Sequence, residues 1–215
     1  MTRVPLAPPV VVAAPTKSSP SFVPRLRWPS LDDRHSKADL HRFPTRSEEL
    51  SRHGAGEFGA WSDGFMTAVR SARERVWLID GFLLKVDDRA RGSFFPVFGA
   101  VLRQTPAQSI RLLTANKAGH EEQIEQLRTL QDERRAPPRN EAFTIEVRLV
   151  REGRGRVRLP HDRFAIVDDE LWHWGANVGG THHEVNAYSR GWSADETGAA
   201  DYFKRLWNDD GGARP

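Results

Sequence analysis

Residues 159–168 read Leu159-Pro160-His161-Asp162-Arg163-Phe164-Ala165-Ile166-Val167-Asp168, and Gly175-Ala176-Asn177 follow. The apolar run from Phe164 to Val167, entered by a cation and left by an acid, reads as a buried β-strand. Residues two apart on a strand share a face, so His161 and Arg163 are expected to project together while Asp162 and Phe164 face the other way. An imidazole that can attack phosphorus beside a guanidinium that can hold oxygens is what a phosphodiester site needs.

Working outward, helical and extended patterns alternate. Phe65, Met66, Val69 and Ala72 recur at helical spacing after Trp61-Ser62-Asp63. Val76-Trp77-Leu78-Ile79-Asp80 reads as a buried strand, Phe94 to Arg103 as a helix and Ile110 to Thr114 as the next strand. A charged helix is expected from about His120 to Arg135, where Pro137-Pro138 stops it. Phe143, Ile145, Val147 and Leu149 alternate as in a strand with one buried face. The quoted strand, a partner through Leu171 to Trp174 and a helix from Ala200 to Asn208 complete the series. This order predicts an α/β sandwich with a mixed β-sheet flanked by helices.

Ahead of it, residues 1–55 hold most of the prolines and the cations Arg25, Arg27, Arg34, Lys37, Arg42, Arg46 and Arg52. They read as a Pro-rich basic arm, flexible or loosely packed, leaving 56–215 as the domain. There is no cysteine, hence neither a disulfide framework nor a thiolate zinc site. A reducing, cytoplasmic compartment fits that composition. No apolar run is long enough for a transmembrane segment, and the stretch from Pro8 to Pro15 is too broken by proline for a signal peptide. The net charge of +3 permits a phosphate-bearing partner without requiring one.

The motif resembles that of the phospholipase D superfamily: His-x-Lys, four residues, Asp, six residues and Gly-Ser. His161, Arg163, Asp168 and Gly175 keep this spacing, with Arg163 in place of Lys and Ala176 in place of the usual Ser. The order of elements over about residues 58–208 is also similar to a half-domain of that family. The resemblance implies a phospholipase D-like sandwich and a chemistry that needs no metal or cofactor. It implies that His161 is the nucleophile, that Asp168 orients a histidine or basic residue nearby, and that Asn177 holds a phosphate oxygen. The family's Asn lies three residues after the Gly, whereas Asn177 lies two after. Glu184 lies where many members place an acid that supports the histidine. The family's site takes one histidine from each of two related halves. This chain carries one motif and no internal repeat, so a homodimer with facing His161 side chains is implied.

A second feature adjoins the motif. Arg148, Arg151, Arg154, Arg156 and Arg158, with Gly153 and Gly155 among them, suggest a loop that presents guanidinium groups to a nucleic-acid backbone. Trp172, Trp174, Tyr188 and Trp192 are candidate stacking surfaces for bases, against the plainer reading as core. His173, His182 and His183 lack the spacing of a metal site. Two functions stay open. One is a metal-independent nuclease of a bacterial defence or mobile-element system. The other is a degenerate phospholipase D-like module that binds nucleic acid, an anionic membrane surface or a protein partner. The His-Asp-Arg form is similar to a divergent branch that includes small bacterial proteins and a eukaryotic domain that binds membranes without catalysis. Arg163 separates the two, because a planar fork grips bidentately where a lysine ammonium can follow a moving oxygen.

Overall fold

Strands β2 (Arg75–Ile79) and β5 (Arg163–Val167) pair antiparallel in the computed structural model, with Val76 opposite Val167 and Ile79 opposite Phe164. Their side chains alternate between two cores. Val76, Leu78, Ala165 and Val167 enter one; Trp77, Ile79, Phe164 and Ile166 enter the other. A strand buried on both sides reads as a continuous apolar run, and both sequences do. The structure describes residues 23–27, 63–84, 94–116, 119–136, 142–150, 159–180 and 187–208.

Around this pair lie β1 (Arg25–Arg27), β3 (Ser109–Ala115), β4 (Thr144–Val150), β6 (Glu170–Trp174) and β7 (Tyr188–Ser193). The sheet order is β1-β7-β6-β5-β2-β3-β4. Strands β2, β3 and β4 run parallel and the other neighbours antiparallel. Parallel neighbours need crossovers, supplied here by α2 (Phe94–Leu102) and α3 (Glu121–Arg135). With α1 (Asp63–Ser71) they contribute Phe65, Phe98 and Leu127 to one core. Helix α4 (Ala199–Asn208) serves the opposite core, where Phe203 stacks on Trp77 with ring centroids 4.9 Å apart. The mixed α/β architecture and these elements follow the sequence expectations closely.

Three features differ from expectation. Trp172, Trp174 and Tyr188 are core residues, not stacking surfaces for bases. All three fall on the face of β6 and β7 that turns inward, and Phe65 meets both tryptophans edge-on. Strand β7 has no counterpart in the sequence reading. Strand β1 lies inside the segment expected to be an arm, and apart from Val23 and Pro24 the rest of that segment falls outside the described residues. Gly191 makes this edge possible. It sits at a φ of 91°, and a Cβ there would overlap the Val23 carbonyl.

Asp168 fastens one end of the central pair. It takes a left-handed φ of 53° in the two-residue turn between β5 and β6, a conformation that Asp tolerates better than most residues. Its backbone N–H donates to the Arg75 carbonyl at 2.8 Å. Its carboxylate accepts the N–H groups of Arg73, Glu74 and Arg75 at 2.8 to 3.2 Å. Asp168→Ala removes the acceptor for three donors and is expected to destabilise the fold by about 1–3 kcal/mol. Asp168→Asn, which keeps one oxygen and the left-handed preference, is expected to lose less. Urea denaturation of both variants checks the order. Gly191→Ala is expected to free the β1 edge, seen as faster hydrogen exchange at Arg25–Arg27 with the central strands still protected.

Candidate functional site

The other end of the β2–β5 ladder carries the site. With Ile79 opposite Phe164, the next cross-strand pair is Asp80 opposite Arg163. Arg163 Nε lies 3.3 Å from Asp80 Oδ1, with side-chain exposures of 13% and 2%. The same carboxylate accepts two backbone N–H groups, from Phe82 at 2.8 Å and from Val178 at 2.9 Å. The Phe82 ring lies against the guanidinium, 5.4 Å from its centroid. One buried carboxylate therefore ties together the end of β2, the turn after it, the start of β5 and the loop after β6.

Burial pushes the Asp80 carboxyl above its ordinary range, and this outweighs the opposing pull of the two N–H groups and the Arg163 guanidinium. At 2% exposure burial disfavours the anion, and each of those contacts works against that penalty.

His161 stands differently from expectation. The strand begins at Arg163, and His161 and Asp162 form an exposed bend before it. The alternation of a strand therefore does not govern where His161 points. Asp162 lies 3.8 Å from His173 Nε2, an ion pair only when that histidine is protonated. Asn177 is half-buried and immediately precedes Val178, so Asp80 holds its loop at the same end of the sheet as Arg163.

Asp168 does not orient a histidine or a cationic side chain beside Arg163. It sits at the opposite end of β5, where its carboxylate is occupied by backbone donors. Arg148 is likewise not beside the motif. It lies on edge strand β4, paired with Leu113. Register places it on the sheet face opposite Arg163, since Leu113 belongs to the core containing Phe164 and Ile166. Glu184, Arg151, Arg154, Arg156 and Arg158 lie outside the described residues.

Asp80 is the residue that the sequence reading passed over as a strand end. A signal for it exists: Arg75-Val-Trp-Leu-Ile-Asp80 and Arg163-Phe-Ala-Ile-Val-Asp168 share the pattern Arg, four apolar residues, Asp. Two such strands paired antiparallel set each arginine opposite the other's aspartate.

No protein-family model matches the chain, and no curated protein sequence does. Some solved structures are similar in fold. TrmBL2, an archaeal chromatin protein that shows a novel mode of DNA binding, has 10% identity and a TM-score of 0.38 over 67% of this chain. NucT from Helicobacter pylori has 15% identity and a TM-score of 0.41, covering 68% of this chain and 87% of that one. Polyphosphate kinase from Porphyromonas gingivalis has 13% identity and a TM-score of 0.45 over 82% of this chain. The chain spans 47% of the TrmBL2 chain and 28% of the kinase chain.

Asp80→Ala leaves a largely buried guanidinium and two N–H groups without their acceptor. It is expected to destabilise the fold by about 3–5 kcal/mol in urea denaturation. Asp80 also has a pH signature. Its proton is held more tightly in the folded chain than in the unfolded one, so the stability it contributes declines as pH rises from about 4. Wild-type stability minus that of Asp80→Asn is expected to fall as pH rises above about 4. A rise over that range would mean that pairing with Arg163 dominates burial.

Proposed function

We propose that the protein is a phospholipase D-like phosphodiester-handling module acting on nucleic acid, in which Arg163 is a fixed anchor for the backbone. The ion pair between Arg163 and buried Asp80 carries this reading. A lysine ammonium at that position would be a compact, mobile charge. Arg163 instead has one edge committed to Asp80 and its charge largely compensated, which suits a steady grip better than tracking an oxygen through a reaction. The run from Arg151 to Arg158 supports nucleic acid as the polyanion.

The second reading is a metal-independent nuclease, favoured by the exposure of His161. There the His161 imidazole bonds to phosphorus and the bond to the leaving oxygen breaks. That oxygen takes a proton from His161 of a second copy, and water then releases the phosphohistidine. This route needs a homodimer, so a monomer in light scattering at micromolar concentration would remove it.

Fluorescence anisotropy with single-stranded DNA and RNA, titrated with salt, tests the common part. Replacing Arg154, Arg156 and Arg158 with Ala is expected to reduce the salt slope by about 0.7 for each phosphate that is no longer neutralised. Salt-independent or absent binding would sink the nucleic-acid assignment. Incubation in EDTA separates the two readings. The anchor reading expects binding without cleavage, whereas cleavage by the wild type that disappears in His161→Ala establishes the nuclease.

A further inference from the structure

Asp80 gives the Arg163 seat a property that the motif residues alone do not contain. Arg163 presents Nε to Asp80, while its Nη amino groups have no hydrogen-bond partner among the described residues, although the side chain is only 13% exposed. A largely desolvated guanidinium with one edge held and the other without a partner among the described residues can seat an anion. Asp80 stands at the held edge, buried, with its own oxygens held by Phe82 and Val178, so it does not swing away when an anion arrives.

The consequence concerns ligand charge. An oxygen bound end-on at the Nη groups lies roughly 6–8 Å from the Asp80 carboxylate. Repulsion over that distance, between interior and aqueous screening, lowers affinity about tenfold per ligand charge. The penalty scales with charge: about tenfold for a singly charged diester and about a hundredfold for a doubly charged monoester. Without Asp80, the attraction to Arg163 would grow with ligand charge and the monoester would win. We propose that Asp80 is a specificity-determining residue that cancels this advantage, so that the Arg163 seat takes a singly charged phosphodiester as readily as a terminal phosphate. This inference rests on the phosphate-binding role proposed above for Arg163.

The test uses dimethyl phosphate and methyl phosphate at about pH 8, where the second carries close to two charges. Binding is followed at the Arg163 Nε–H resonance, identified by its absence in Arg163→Lys. The wild type is expected to bind both probes within about threefold of each other. Asp80→Asn is expected to strengthen the diester about tenfold and the monoester about a hundredfold. A merely structural role for Asp80 would move both affinities together, so an unchanged ratio overturns the proposal. If Asp80→Asn does not fold, the wild type alone decides, because a monoester bound about tenfold or more tighter than the diester also overturns it. If neither probe moves the resonance in the wild type, the phosphate-binding reading of Arg163 fails as well.

Discussion

Two strands of the form Arg, four apolar residues, Asp lie antiparallel at the centre of this sheet, and an aspartate fastens each end of the pair, one through an ion pair and the other through backbone hydrogen bonds. At one end Asp80 takes Arg163; at the other, Asp168 takes the backbone N–H groups around Arg75 and its backbone carbonyl accepts Arg75 Nε at 2.6 Å. Because Asp80 and Arg75 are five positions apart, the clasps fall on opposite faces of the sheet. Between them the apolar residues fill two cores, one under three helices and one under α4. A slip of one residue would exchange the faces and separate both clasps at once, so polar contacts and burial specify the same register.

Fold and site share this device. The carboxylate that ends the ladder at Asp80 also holds the Val178 N–H, so the loop bearing Asn177 is positioned by the interaction that aligns the strands. The arginine in the motif is part of the same arrangement. Its Nε meets Asp80 at one edge of the planar guanidinium, whereas an ammonium has no such division into edges. Arg163→Lys here would change the support of the strand end as well as the shape of the charge beside Asp80.

Much of the architecture was legible in the sequence because its elements are strongly patterned. The run from Val76 to Ile79, the alternation from Phe143 to Leu149 and the proline stop at Pro137 leave little choice of element type. Strand β7 was not legible: Tyr188-Ser-Arg-Gly-Trp-Ser is polar and broken by Gly191, and it is a strand because β6 and β1 pair with it. Part of the site was legible as spacing, but spacing along the chain is silent about which strand lies opposite. Asp80 and Arg163 are far apart in sequence and become neighbours through antiparallel pairing. Arg148 misled in the opposite way, near the motif along the chain yet on the far face of edge strand β4.

The contrast between Arg163 and His161 bears on chemistry. Arg163 belongs to a strand, is ion-paired and is nearly buried, so its position is set before any ligand arrives. His161 lies two residues earlier in an exposed bend where no ladder bond directs it. Covalent catalysis needs the reverse emphasis. The nucleophile must be held within a few tenths of an ångström of its line of attack, while the cation beside it adjusts as charge moves onto the oxygens. A rigid cation beside an exposed imidazole accords with the anchor reading proposed above, which needs a preorganised grip and no bond-forming geometry. For this scaffold to attack phosphorus, His161 must be ordered by something beyond its own strand.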